Sequence, residues 1–88
     1  MTPQDSSQRT EEICRLAPVI PVLVVEDPAK AKPLARALIA GGLPALEVTL
    51  RTPAALEVIA EMAQVEGGIV GAGTLLSPHD VAAAKAAG

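Results

Sequence analysis

The chain has 88 residues, half of them apolar, and a formal net charge of −3 at pH 7, which fits one small globular domain and excludes a disordered protein. It contains no Phe, Trp or Tyr and shows no basic stripe, so we expect no nucleic acid and no anionic membrane surface among its partners. Its single cysteine, Cys14, excludes an internal disulfide and fits a reducing compartment.

The amino-terminal segment is polar. Residues 1–8 predict a disordered tail, and because they lack an apolar core region we expect no signal peptide and a cytoplasmic location. Residues 10–16 predict a short helix with Thr10 as its N-cap. The apolar run over residues 17–25 is interrupted by Pro18 and Pro21 and is too short to span a bilayer, so we expect no membrane partner.

The first strand–helix unit follows. Residues 19–25 form a β-branched run typical of a strand buried on both faces in a parallel sheet, although Pro21 removes a ladder donor and is more typical of an edge strand or a bulge. Asp27 and Pro28 predict the start of a helix, and Pro33 predicts a kink or a later start. The residues predicted to face inward are Ala31, Leu34, Ala35, Leu38 and Ile39.

Two further units repeat this plan. The second has a strand over residues 45–50 and a helix with Thr52 as N-cap and Pro53 as its first residue. Its predicted inward stripe is Leu56, Ile59, Ala60 and Ala63. The third has a strand over residues 69–72 and a helix over residues 78–87, where Ser77 and Asp80 form a pair resembling a capping box.

The predicted strands start about 25 residues apart, which is typical of a βα repeat. Right-handed crossovers between sequential parallel strands place all connecting helices on one side of the sheet and leave the other side bare. The predicted fold class is therefore α/β, as the first three βα units of a TIM (β/α)8 barrel over residues 9–88, with the amino-terminal helix across the bottom opening. A small doubly wound, flavodoxin-like piece remains the alternative.

Residues 45–51 alternate in character. With a period of two, Leu46 and Val48 point to one face and Glu47, Thr49 and Arg51 to the other. A carboxylate in the middle of a strand is costly to bury alone, so Glu47 indicates a polar pocket near the carboxyl end of the strand, where parallel α/β folds bind ligands. A structural glutamate paired with an arginine is the alternative for Glu47, and we interpret Thr49 as a packing residue.

Other candidate sites are weak. Gly71-Ala72-Gly73 lacks the third glycine of a dinucleotide loop, so we expect no cofactor. His79 has no ligand partner at metal-binding spacing, so we expect no metal. The lysines are expected on outer helical faces as solvated charges; they are Lys30, Lys32 and Lys85.

Four ordered motifs resemble the 2-keto-3-deoxy-6-phosphogluconate (KDPG) and 4-hydroxy-2-oxoglutarate (KHG) aldolase family. They are Pro18-Val19-Ile20-Pro21-Val22, Ala40-Gly41-Gly42, Leu46-Glu47-Val48-Thr49-Leu50-Arg51-Thr52 and Val70-Gly71-Ala72-Gly73-Thr74-Leu75. The third is the most specific. The resemblance implies a class I aldolase, a cytoplasmic lyase of the Entner-Doudoroff pathway and usually a homotrimer, that cleaves KDPG to pyruvate and glyceraldehyde 3-phosphate through a lysine Schiff base. It implies Glu47 as general acid/base and Arg51 and Thr74 as groups that hold the pyruvate carboxylate.

The resemblance also implies that two parts of the family's active site are absent from these 88 residues. The Schiff-base lysine and the phosphate-binding loop of the family come from later strands, so we expect the 88 residues alone to be inactive. Three alternatives stay open: the related 2-dehydro-3-deoxy-6-phosphogalactonate aldolases, a non-catalytic part-barrel assembly module, and a sugar-acid sensor that only binds its ligand.

Overall fold

The computed structural model describes residues 1–88 as a three-stranded parallel sheet with helices between the strands. The elements are α1 (Pro3–Cys14), β1 (Val22–Leu23), a 3-10 turn (Pro28–Lys30) that leads into α2 (Ala31–Ala40), β2 (Ala45–Thr49), α3 (Ala55–Met62), β3 (Ile69–Gly73) and α4 (Pro78–Ala87). The strand order in the sheet is β1-β2-β3, so the predicted βα repeat is confirmed.

The apolar core lies on one face of the sheet, between β2 and the helices α2 and α3. Its buried members are Val25, Ala31, Ala35, Leu46, Val48, Ala55, Val58, Ile59 and Met62. Every residue of the predicted α2 stripe is buried or packs against this core. All nine buried members are aliphatic residues or methionine, so the core is formed without any aromatic side chain.

The opposite face of the sheet carries Val22, Val24, Glu47 and Thr49, and we call it the bare face because α2 and α3 do not cover it. Val22 is 61% exposed and Val24 55% exposed, and neither belongs to the core. The prediction of a strand buried on both faces is therefore wrong for β1, which has two residues at the sheet edge. Pro21 explains the short ladder, because it has no N–H to donate, although its carbonyl accepts a hydrogen bond from the Glu47 amide at 3.0 Å.

The first helix starts earlier than predicted. Thr2 is its N-cap, with the Thr2 hydroxyl accepting from the Asp5 amide at 3.1 Å and the Asp5 carboxylate accepting from the Thr2 amide at 2.9 Å. The predicted N-cap Thr10 is wrong, since its hydroxyl donates to the Ser6 carbonyl within the helix. Residues 3–8, predicted as a tail, form the first turns because Thr2 and Asp5 make a capping box and Pro3 is the first helical residue.

The end of α1 lies beside the bare face. Ile13, the one half-buried residue of this otherwise exposed helix, helps to line a cavity of about 210 Å³ together with Ile20, Ala45 and Ile69. Ala45 and Ile69 are the first residues of β2 and β3, so the cavity reaches the amino ends of these strands. This placement agrees with the prediction of a helix at the bottom opening of a barrel.

The other helix starts test the predicted caps. Asp27 accepts from the Ala29 amide at 3.0 Å and Ser77 accepts from the Asp80 amide at 3.1 Å, so both caps are confirmed. Pro33 lies in the first turn of α2, where its missing N–H removes no helical hydrogen bond, and the later start is the correct alternative. No helix has the length and apolar character needed to cross a membrane.

The start of α3 differs from the prediction. Thr52 does not cap this helix, because its hydroxyl donates to the Val25 carbonyl at 3.3 Å and the helix begins only at Ala55. Of the predicted inward stripe of α3, Ile59 is buried and Ala60 half-buried, but the prediction is wrong at Leu56, which is 39% exposed, and at Ala63, which is exposed. The buried stripe is Ala55, Val58, Ile59 and Met62. Both stripes have helical spacing, so periodicity alone could not separate them.

Candidate active site

The two faces of β2 differ as the alternation predicts. Leu46 is 3% exposed and Val48 is fully buried, and both pack in the core under the helices. Glu47 therefore points to the bare face together with Thr49, since successive residues of a strand alternate. The side chain of Glu47 is half-buried, whereas Thr49 is only 4% exposed.

The Glu47 side chain lies across β3 at Gly73. Glu47 is in register with Gly71, but a Cβ atom added at Gly73 would lie 2.5 Å from Oε2 of Glu47. The carboxylate therefore leans by two residues toward the carboxyl end of β3. It takes part in none of the side-chain hydrogen bonds, and the ion pairs of the chain are Arg9–Glu12, Arg15–Glu11 and Lys32–Glu61, so the alternative of a glutamate paired with an arginine is not what the structure shows.

Arg51 and Thr74 follow the ends of neighbouring strands. Thr49 is in register with Gly73, and the Leu50 amide donates to the Gly73 carbonyl at 2.9 Å, so the segments that leave β2 and β3 are held side by side. Arg51 is exposed in the turn after β2, outside the predicted strand, and belongs to no ion pair. Thr74 is half-buried with φ of 61°, a left-handed conformation that is unusual for a β-branched residue.

Thr49 has a role that the packing interpretation missed. Its hydroxyl donates to the Leu23 carbonyl at 3.1 Å, and Thr52 makes the matching bond to Val25, so two threonines fasten the end of β1 to the segment that carries Glu47 and Arg51. The sequence signal was the placement of a polar β-branched residue on the same face as Glu47.

No lysine of the chain lies on a strand. Lys32 forms an ion pair with Glu61 at 3.2 Å between α2 and α3, while Lys30 and Lys85 are exposed on the 3-10 turn and on α4. His79 is exposed in the first turn of α4, and no group of His, Cys, Asp and Glu side chains is placed to hold a metal ion. The bare face thus offers a carboxylate at its centre, with a guanidinium and a hydroxyl following the adjoining strand ends.

Comparison with known proteins gives concordant matches. The family model described as "Aldolase: KDPG and KHG aldolase" matches residues 10–88. A 2-dehydro-3-deoxy-phosphogluconate aldolase of Zymomonas mobilis subsp. mobilis is 59% identical over 78 residues, which cover 89% of this chain and 38% of that protein. The chain therefore spans less than two fifths of the length of this curated relative.

Solved structures agree with these matches. The 2-keto-3-deoxy-6-phosphogluconate aldolase of Zymomonas mobilis ZM4 with 3-phosphoglycerate superposes with a TM-score of 0.85 at 59% identity, covering 89% of this chain and 37% of that one. The KDPG aldolase of Legionella pneumophila, with pyruvate captured as a covalent carbinolamine intermediate, gives a TM-score of 0.79 at 41% identity, covering 85% of this chain and 37% of that one. The α/β part-barrel is thus a fold found in those enzymes.

Proposed function

Because the chain belongs to the KDPG and KHG aldolase family, we propose that the protein is a class I aldolase that cleaves KDPG to pyruvate and glyceraldehyde 3-phosphate. The family predicted from the four motifs is confirmed by the family match over residues 10–88.

The observation that carries the proposal is the position of the Glu47 carboxylate. It lies half-buried on the bare face, beside Gly73 and without a hydrogen-bonding or ion-pairing partner, toward the carboxyl ends of β2 and β3. In (β/α) barrels this end of the strands holds the active site. A carboxylate that is free of protein partners there can accept a proton from a bound substrate.

Glu47 is proposed as the general acid/base. An amine adds to the C2 ketone of the substrate and loses water, which leaves an iminium group. Glu47 then takes the proton of the C4 hydroxyl while the C3–C4 bond breaks and its electron pair passes to the iminium as an enamine. Glyceraldehyde 3-phosphate leaves, C3 of the enamine takes up a proton, and water releases pyruvate and the amine.

Arg51 and Thr74 are proposed to hold the carboxylate of the keto acid. The guanidinium of Arg51 is exposed and outside all ion pairs of the chain, and its planar fork fits a carboxylate with two parallel hydrogen bonds. The hydroxyl of Thr74 follows the adjacent strand end. The pyruvate seen covalently bound in the Legionella pneumophila enzyme supports a keto acid as the ligand of this site.

The amine is proposed to come from outside the 88 residues. Lys30 and Lys85 are exposed and Lys32 pairs with Glu61, so none of the three lies in a desolvated pocket of the kind that activates a lysine as a nucleophile. Incubation of the 88-residue chain with pyruvate and borohydride is therefore expected to leave its mass unchanged. A stoichiometric adduct on any of these lysines would contradict this part of the proposal.

We also propose the oligomeric state, the location and the pathway that the resemblance implies. A homotrimer, a cytoplasmic location and a place in the Entner-Doudoroff pathway accompany the proposed activity. The exposed valines of the bare face, at 61% for Val22 and 55% for Val24, support further barrel strands as the cover of this face.

The activity can be tested in a chimera in which these 88 residues replace the segment that they match in the Zymomonas mobilis enzyme. We expect the chimera to release pyruvate from KDPG with a rate constant within about tenfold of that of the parent enzyme, measured by coupled oxidation of NADH. A folded chimera that forms the borohydride-trapped adduct with pyruvate but does not cleave KDPG would overturn the proposed function.

A further inference from the structure

We infer that Gly73 is a positioning residue for the Glu47 carboxylate, an inference that rests on the proposed function of Glu47. The absence of a side chain at position 73 leaves the space that the end of the Glu47 side chain occupies. A Cβ atom there would lie 2.5 Å from Oε2, 2.8 Å from Cδ and 3.2 Å from Cγ of Glu47. The glycine thus determines where the proton-accepting group lies.

The close approach involves three consecutive atoms of Glu47, so rotation of the carboxylate alone does not relieve it. A Cβ at position 73 requires Glu47 to change its rotamer nearer the backbone, which moves the carboxylate off β3. The backbone of Gly73 is held in place, because its carbonyl accepts from the Leu50 amide at 2.9 Å and Gly73 is in register with Thr49. The side chain of Glu47 therefore moves, and the strand does not.

The neighbouring Gly71 shows that the requirement for glycine is confined to position 73. Gly71 lies on the same strand and the same face and is the register partner of Glu47, yet a Cβ atom there meets only the Leu46 carbonyl at 3.9 Å, an ordinary contact. Gly73 has no positive φ, so alanine fits its backbone conformation. The effect of a side chain at position 73 therefore comes from its contact with Glu47 and from nothing in the backbone.

Because of this geometry, we expect a side chain at position 73 to affect catalysis and to leave folding intact. The atoms in the way belong to the end of a flexible, half-buried side chain, which can turn toward the bare face with little effect on the core. A proton-transfer group displaced by about 1 Å or more loses on the order of 10²-fold in rate. Substitution of Gly73 is therefore expected to lower the rate of the chemical step while the protein stays folded.

The test compares Gly73→Ala with the matched control Gly71→Ala in the chimera with the Zymomonas mobilis enzyme. We expect Gly73→Ala to lower kcat for KDPG cleavage by about 10- to 100-fold with KM changed by less than about threefold. Gly71→Ala should change kcat by less than about threefold. Equal kcat values for the two variants would overturn the inference.

A second pair of variants asks whether Glu47 mediates the effect. In a Glu47→Ala background the side chain ends at Cβ and no atom of residue 47 reaches position 73, so Gly73→Ala should lower the residual kcat by less than about threefold further. The same loss in both backgrounds would overturn the inference. Unfolding of Gly73→Ala that persists in Gly73→Ala/Glu47→Ala would also overturn it, because the clash would then lie with the backbone.

Crystal structures give a readout that does not depend on activity. The Gly73→Ala structure is expected to show the Glu47 carboxylate moved away from β3, with β3 itself unchanged. An unmoved carboxylate would refute the inference even if the chimera were inactive. Inactivity of the unsubstituted chimera, together with a moved carboxylate in Gly73→Ala, would instead refute the proposed function and leave the positioning by Gly73 supported.

Discussion

The five residues of β2 give the strand one apolar face and one polar face. The face under α2 and α3 carries Leu46 and Val48, which are 3% and 0% exposed and belong to the apolar core. The bare face carries Glu47 and Thr49, one free of protein partners and the other hydrogen-bonded across to β1. The alternation of a strand thus separates residues that hold the fold from residues that are available for chemistry.

This separation predicts that substitutions on the two faces have different consequences. A change on the helix-facing side acts on packing and lowers the free energy of unfolding. A change at Glu47 removes a group that the core does not use. Predictions on both faces can therefore be checked by measuring stability and turnover of the same chimera.

Glu47→Gln is expected to have the largest effect. The amide keeps the shape of the side chain but cannot accept the substrate proton, so kcat should fall by about 10²- to 10⁴-fold, while the urea midpoint of unfolding stays within error. Glu66→Gln, at an exposed position after α3, is the matched control and should leave kcat unchanged. A common loss of kcat in both variants would contradict the proposed role of Glu47.

Val48→Thr is the corresponding test of the helix-facing side. It keeps the side-chain shape but places a hydroxyl among the apolar core residues, where Val48 is fully buried. We expect the free energy of unfolding to fall by about 2 kcal/mol, because the hydroxyl loses its hydrogen bonds to water. Urea unfolding measures this loss, and a stability equal to that of the unsubstituted chimera would show that the hydroxyl finds a partner in the core.

Arg51→Lys tests the side chain that follows the carboxyl end of β2. Lysine keeps the charge but lacks the planar fork that binds a carboxylate with two parallel bonds, so KM for KDPG should rise by about tenfold, equivalent to about 1.4 kcal/mol. The unfolding midpoint should not change, since Arg51 is exposed and belongs to no ion pair. Arg36→Lys, on an exposed position of α2, serves as the control.

Thr49→Val should cost less stability than Val48→Thr although it is the reverse exchange at the next residue. It removes the hydroxyl that donates to the Leu23 carbonyl at 3.1 Å, which is worth about 1 kcal/mol. Hydrogen exchange should show faster opening at Leu23, while β3 remains protected. Equal protection of β1 in both proteins would show that the edge strand does not depend on this threonine.

The sequence predicted most of this arrangement, because strand alternation and helical spacing are local properties. The period of two placed Glu47 opposite Val48, and Asp27 and Ser77 were recognised as caps because the residues that they bond are close in the chain. The family motifs led to the aldolase family for the same reason: they are continuous strings.

Apart from the missed N-cap Thr2, whose partner Asp5 is three residues away, the errors occurred where a residue far away in the chain determines the contact. Thr52 matched the pattern of an N-cap, but its hydroxyl bonds to Val25, which is 27 residues away in the chain. The contact between Glu47 and Gly73 depends on the register of two strands, so no local pattern contained it. The α3 stripe was misplaced because two stripes satisfied the same periodicity, and only the packing of α3 against β2 and its neighbours selects one.

Helix α1 differs from both faces of β2, because none of its residues is buried. Local interactions therefore have to hold it, and the strongest candidate is the capping box. Hydrogen bonds from the Thr2 backbone amide and then from the Thr2 side chain hold the pKa of Asp5 below its usual value of 3.8. A lowered pKa means that the charged carboxylate stabilises the helix above the unfolded pKa and that this stabilisation is lost as pH falls through the lowered pKa.

A peptide of residues 1–16 is expected to lose helical circular dichroism below about pH 4. Asp5→Asn should be less helical at pH 6 and should show a smaller loss on acidification, since an amide accepts the Thr2 hydrogen bond without a charge that titrates. Glu12→Gln is the matched control for the exposed pair with Arg9, whose side chains are more than half exposed and contribute little. If Glu12→Gln removes as much of the pH dependence as Asp5→Asn does, the ion pairs along the helix hold α1 together, and the capping box at Thr2 does not.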